Sequence, residues 1–305
     1  MVVRDTIYFI LCLETAKKIM RSRAKSQVSS SRSQDFLQQN TVFTTEDFAR
    51  YLGGPDALSR ARFRLKYFIR EGRVKVVVRG VFATVPFHST PKQLEPDPYL
   101  VAAAVRPDAV FCHHSALELH GQAHSLWHVV TVYTRRRRAP VPVGSSRIVF
   151  LVHPPAMRRD RRGELDTEEM LRRWTRPMTR AGHSLTVTSP ERTLVEGFRS
   201  LRWVGGVDEL VESATGFVTL NLHELSEILA LYDSPRLWAA SGWFLERSQG
   251  KLFLPDSFLE DLSRHRPKSP VYLEPGRVGA AYVRRWNLLV PRHLIGEKES
   301  GEPGP

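Results

Sequence analysis

The chain has 305 residues, 42% of them hydrophobic, and a formal net charge of +13. That length suits two domains with flanking tails, and that charge draws the protein towards polyanions. Two cysteines, Cys12 and Cys112, exclude a disulfide scaffold and suit a reducing cytoplasm, while the longest early apolar run, Ile7 to Leu13, falls far short of the roughly 20 residues of a membrane span, so no membrane partner is expected.

Residues 1–32 read as a disordered or spurious leader. Glu14 and Lys17-Lys18 follow the apolar run without a small-residue cleavage pattern, Met20 is a candidate alternative start, and Arg21 to Ser33 is Ser/Arg/Gln-rich like a solvated basic arm. Ser33 to Asn40 is expected to be a short helix with Phe36 and Leu37 facing inward. Thr44 to Gly54 opens a second helix: Thr44 or Thr45 caps it, Glu46 and Asp47 occupy its first turn, and glycines end it. A third helix runs from about Ala57 to Glu71, with Leu58, Ala61, Leu65, Phe68 and Ile69 at the spacing of one buried face. Gly72 stops it. Lys75–Val78 and Val81–Val85 then alternate around Arg79-Gly80 as a β-hairpin.

Helix, turn, basic helix and hairpin form the plan of a winged helix-turn-helix, expected over residues 33–86. Between Ala57 and Gly80 stand eight Lys or Arg residues and one acid. Arg is suited to this role because its planar fork reaches two acceptors on guanine or grips a phosphate. The expected DNA contacts are Ser59, Arg60, Arg62, Arg64, Lys66, Tyr67, Lys75 and Arg79.

Residues 87–96, rich in proline, read as a linker. The second domain, 97–295, opens with a helix from Pro98 to Val105 capped by Asp97. Strands are expected at Ala109–Cys112, His128–Thr134, Arg147–His153 and Leu185–Thr188, with a helix over His114–His120. Ser189-Pro190-Glu191 carries the marks of a helix start. Helices follow at Val207–Ala214, Asn221–Tyr232, Pro235–Arg247 and Pro255–His265, and a last pair of strands at Val271–Glu274 and Tyr282–Val290. The expected class is α+β: the winged domain, then a larger mixed α/β domain with a helical C-terminal subdomain. Residues 296–305 read as a disordered tail.

No catalytic set emerges. Five histidines crowd into 113–128 beside Cys112, but Gly121 interrupts the helix that would align them, and no Cys pair or acidic cluster accompanies them, so no metal is expected. None of the nine lysines has an acid two positions before it, as a restriction-type nuclease would require, and no Asp-x-Asp follows Gly144-Ser145, as a nucleotidyltransferase would require. Neither a phosphate-binding glycine loop nor a nucleophile elbow occurs, and no cofactor is expected. Arg135–Arg138 follows one strand and the arginines of 158–162 the next; Arg172, Arg173, Arg176 and Arg180 come after. If the two strands are neighbours, their loops gather on one edge, in a patch suited to RNA, DNA or an acidic protein.

The order of these segments is similar to a known family. The basic winged helix, Asp97-Pro98-Tyr99-Leu100, the run Ala109 to Gly121 with His-Ser-Ala-Leu-Glu-Leu-His-Gly, and Thr188 to Val195 with Ser-Pro-Glu-Arg-Thr-Leu together resemble the AbiEi antitoxins of type IV toxin–antitoxin systems, over roughly residues 33–294. The resemblance implies a bacterial cytoplasmic protein that is not an enzyme. Its winged helix would bind inverted repeats upstream of its own operon, and its larger domain would counter a nucleotidyltransferase toxin encoded next door. Palindromic sites require two copies on the DNA, as a dimer or as cooperative monomers. His114, Ser115, Glu118, His120, Ser189, Glu191 and Arg192 carry over as antitoxin-domain motif residues. The extension before Ser33 departs from the family pattern. The rival expectation is a winged-helix regulator whose second domain binds a ligand or is a degenerate nuclease fold.

Overall fold

A computed structural model of the chain describes residues 32–158, 168–274, 276 and 279–295. The expected tail, all but the last residue of the expected leader, and Arg159, Arg161 and Arg162 lie outside the described residues. The chain is mixed α+β and divides into two compact units between Val105 and Arg106. No helix among the described residues is long and apolar enough to cross a membrane.

The first unit starts with a helix over residues 32–39 (α1), then a short strand, Val42–Thr44 (β1). Helix α2 is Thr45–Leu52, and its start follows from the sequence: the Thr44 hydroxyl accepts from the Asp47 N–H at 3.1 Å, and the Asp47 carboxylate accepts from the Thr44 N–H at 3.0 Å. This reciprocal capping box satisfies two otherwise orphaned donors. Gly53 and Gly54, with φ of 60° and 74°, turn the chain through a left-handed region that a side chain would strain. Helix α3, Ala57–Arg70, follows. Strands β2, Val74–Val78, and β3, Val81–Thr84, form the hairpin, with a register shift between Val76 and Val78.

Strand β1 pairs antiparallel with β3 and completes a three-stranded sheet ordered β1-β3-β2, a strand the sequence reading lacks. Phe36, Phe43, Phe48, Phe68 and Phe82 meet in the core, with the rings of Phe36 and Phe48 centred 4.9 Å apart. Each buried ring contributes about 1.5–3 kcal/mol by leaving water. Two expectations for α3 are corrected: Leu58 and Ile69 are exposed, because the buried face is the narrower stripe Ala61, Leu65 and Phe68. The expected linker 87–96 is instead held to this unit, for the Lys75 ammonium donates to the Leu94 carbonyl at 2.6 Å and Pro96 is buried. Helix α4, Pro98–Val105, also belongs to the first unit and not the second, since it packs on β1 and β3. Asp97 caps it, accepting from the Tyr99 N–H at 2.9 Å.

The second unit is built on a six-stranded mixed sheet. Its elements in order are β4 (Val110–Phe111), α5 (His114–Leu119), β5 (Val129–Thr134), β6 (Arg138–Val143), β7 (Ser146–Val152), α6 (Glu168–Leu171), β8 (Thr175–Arg180), β9 (His183–Thr188) and α7 (Pro190–Arg199). The strand order is β6-β7-β5-β4-β9-β8, with β5 parallel to β7 and β4 parallel to β9. Strands β6 and β8, at the two edges, are absent from the sequence reading, which assigns no strand there. Helices α8 (Val207–Ala214), α9 (Leu222–Tyr232), α10 (Pro235–Arg247), α11 (Gln249–Leu252) and α12 (Asp256–Arg264) follow. The last elements are β10 (Val271–Tyr272), β11 (Ala280–Val283) and β12 (Leu288–Pro291), a small sheet ordered β10-β12-β11. The single strand expected over Tyr282–Val290 is therefore two, parted by a 3-10 turn at Arg284–Trp286. Trp243, Phe244 and Trp286 lie in the core these helices share with the small sheet.

Candidate functional site

In the first unit, α3 presents Ser59, Arg62, Phe63, Lys66, Tyr67 and Arg70 along its outer side, at the spacing of one helical stripe and opposite the buried one. The stripe holds three cations, two aromatic rings and no carboxylate. Phe63 is 76% exposed and Tyr67 47%. Arg79 is exposed beside Gly80 at the hairpin tip. Three other expected contacts are committed inside the unit. The Arg60 guanidinium donates to the Gly53 carbonyl and holds the interhelical turn. Arg64 is half-buried and donates to Ser33 Oγ on α1; burial, and then the charge of Arg60, draw its pKa below the ordinary value. Lys75 holds the segment 87–96.

In the second unit, the two motif segments come together. Strands β4 and β9 are parallel neighbours, so the helices that follow them, α5 and α7, emerge side by side. His120, at the end of α5, hydrogen-bonds the Thr188 carbonyl at 2.8 Å, just before Ser189. Ser189 caps α7 by accepting from the Arg192 N–H at 3.2 Å. Ser115 ties α5 to the sheet: its hydroxyl accepts from the Thr131 N–H at 2.8 Å. His114 is buried with Nε2 3.3 Å from Glu209 Oε1, and desolvation lowers its pKa despite that carboxylate. Glu191 Oε1 accepts from the Asn221 N–H at 2.6 Å, at the start of α9. Glu118 is half-buried on α5.

Arg192 is the centre of this region. It is fully buried; Nε donates to Glu196 Oε1 at 2.9 Å, Nη1 donates to the Arg173 carbonyl at 2.9 Å, and Nη2 lies 3.3 Å from His153 Nδ1. The Tyr232 hydroxyl donates to the same Glu196 oxygen at 2.6 Å. Arg192 holds the Glu196 carboxyl below the usual carboxylate range against the opposing effect of burial. A guanidinium can only donate, so His153 Nδ1 is the acceptor and the neutral ring carries its proton on Nε2. Tyr133 stacks on His153 with ring centres 5.0 Å apart and bonds His113 Nε2 through its hydroxyl at 3.3 Å. His113 has φ of 54°, a left-handed backbone that its buried contacts hold in place. Burial pushes both His113 and His153 down to about 4.

Above this polar centre opens a cavity of about 800 Å³. Its walls carry Arg135, Arg136, Arg137 and Arg138 after β5, Arg158 after β7, and Arg199 and Arg202 around the end of α7; among the described residues no carboxylate lines it. Strands β5 and β7 are paired neighbours, so the first two groups meet at their shared carboxyl ends, as expected for adjacent strands. The arginines after them do not join: Arg172 pairs with Glu168 and Arg176 with Glu224. Sequence reasoning missed Tyr133, His153, Arg199, Arg202 and Trp203. Its one available signal was Arg192 and Glu196, opposite charges one helical turn apart.

The chain matches no family model and no curated protein. Among solved structures it is similar to the crystal structure of the RV2827C protein from Mycobacterium tuberculosis, with a TM-score of 0.52 and 18% identity, covering 87% of this chain and 90% of that one. At that identity the likeness speaks for the fold alone.

Proposed function

We propose that the first unit is a winged helix-turn-helix that docks α3 in the major groove of double-stranded DNA, and that the protein is the antitoxin and autorepressor of a type IV toxin–antitoxin system in the bacterial cytoplasm. The observation that carries the DNA reading is the outward stripe of α3. A helix face that only meets water has no use for an exposed Phe63 between two cations, whereas a groove offers thymine methyl groups to the ring and guanine or phosphate to the arginines. Arg62, Lys66 and Arg70 supply those contacts, and Arg79 reaches the backbone or minor groove from the wing. Arg60, Arg64 and Lys75 act indirectly, by fixing the turn, α1 and the segment behind the hairpin. Two copies occupy an inverted repeat. The antitoxin half rests on the resemblance of the motif segments around α5 and α7, and its role is binding, not catalysis.

The test is a gel-shift titration with the DNA just upstream of the gene against scrambled DNA. Arg62→Ala is expected to weaken binding to the upstream DNA by about 1–3 kcal/mol. An unaltered affinity sinks the assignment of α3. Co-expression with an adjacent nucleotidyltransferase tests the other half: restored growth is expected, and continued toxicity removes the antitoxin role without touching DNA binding.

A further inference from the structure

The arginine-walled cavity of the second unit has a chemistry that DNA binding by α3 does not use. Its volume of about 800 Å³ falls within the roughly 300–1,000 Å³ of small-ligand sites. It lies outside the carboxyl ends of the parallel pair β5 and β7, where open mixed sheets place ligands. Its cations come from three separate chain segments, so their convergence is a product of the fold and not of one charged loop. Bringing like charges together is unfavourable until an anion enters. Two carboxylates near it are already engaged, Glu196 by Arg192 and Tyr232 and Asp108 by Arg106 and the Arg135 N–H.

Two further groups point to a ligand. Arg158 Nε is buried without a hydrogen-bond partner among the described residues. His153 lines the cavity and, with Nδ1 engaged by Arg192, holds its proton on Nε2 as a neutral donor. Trp203 adds a flat surface on the wall, with the Arg202 guanidinium 4.9 Å above its ring. Guanidinium forks bind phosphate oxygens, and an indole face stacks a base. We propose that this cavity binds a nucleoside polyphosphate, with the phosphates on Arg137, Arg199 and Arg202 and the base on Trp203. A free nucleoside triphosphate and the triphosphorylated 5′ end of an RNA present the same chemistry.

Calorimetric titration of the full chain at physiological salt, with ATP, GTP and inorganic tripolyphosphate, tests this. One nucleotide per chain is expected, bound at least tenfold more tightly than tripolyphosphate. Trp203→Ala should erase that preference, and Arg199→Ala/Arg202→Ala should weaken every polyphosphate at least tenfold. Arg137→Ala, from a different segment of the lining, provides a second reading should the double variant fold poorly. Lys251→Ala removes one exposed charge elsewhere and should change nothing. Equal affinity for nucleotide and tripolyphosphate overturns the nucleotide; full binding by both arginine variants overturns the cavity. A 5′-triphosphorylated oligonucleotide that outcompetes both ATP and its own 5′-hydroxyl form assigns the RNA end as the source, and one that does not assigns the free nucleotide.

Discussion

Arg192 and His153 show how one buried side chain sets the protonation of another. Burial is the main cause that keeps the His153 ring neutral, and Arg192, donating to Nδ1, acts in the same direction. His113 is likewise kept neutral, mainly by burial, with Glu196 opposing and Arg199 assisting. Both histidines titrate at about 4 in the folded chain, against an ordinary 6.5. Between these values the unfolded chain binds more protons than the folded one, so stability rises with pH. The contribution is complete above the unfolded value and is lost as the pH falls towards about 4, at about 1.4 kcal/mol per pH unit for each histidine. The melting temperature should therefore fall between pH 7 and pH 5, and His153→Gln, whose amide oxygen can still accept from Arg192, should flatten that fall. Superimposable pH profiles for the two proteins would refute the neutral-histidine account. Local sequence disclosed the cap Ser189 and narrowed the other to Thr44 or Thr45, because a cap depends on residues two or three positions away. It could not disclose Arg192 as a buried centre, because its partners Arg173 and His153 come from segments 19 and 39 residues distant.

At the scale of elements, the strands that escaped the sequence reading share a physical reason. Strand β6 contains Pro140 and Pro142, and β8 contains Pro177; proline cannot donate to a ladder, so such runs read as loops. Both lie at sheet edges, where a donor facing away from the neighbour is not needed. Helices were legible from their periodicity: α8 and α10 fall where the sequence places them. The meeting of α10 with the 3-10 turn at Trp286 was not, since it rests on a close approach. A Cβ built on Gly242 would stand 2.1 Å from Trp286 Cζ3. The indole is fully buried and its Nε1–H donates to Glu246 Oε2 at 2.6 Å, so it cannot swing aside without losing that bond. Gly242→Ala should cost about 1–3 kcal/mol or more through overpacking, although alanine is the better helix former. A urea midpoint equal to or above that of the parent would mean that α10 moves freely against the turn.

For the whole molecule, the net charge of +13 sets the condition under which any specific role must be judged. Cations bind any DNA by releasing its counterions, and the logarithm of that affinity falls with the logarithm of salt by about 0.9 per phosphate neutralised. Binding at low salt is thus shared by every exposed arginine, including those around the cavity of the second unit. What the stripe on α3 adds is contact with base edges, which survives at salt concentrations where the general attraction has faded. Upstream DNA should consequently be bound about a thousand-fold more tightly than scrambled DNA at physiological salt. In the Arg62→Ala/Lys66→Ala variant the gap should narrow, through the lost base contact of Arg62, and the salt slope on upstream DNA should shrink by about 1, through the lost phosphate contact of Lys66. Lys251→Ala subtracts a charge without touching the stripe and should alter neither quantity. Equal affinities for both DNAs at every salt would make the charge a polyanion sink and end the autoregulatory reading. The nucleotide site would survive that result, because it rests on a cavity wall assembled within the second unit and on ligands short enough to enter it.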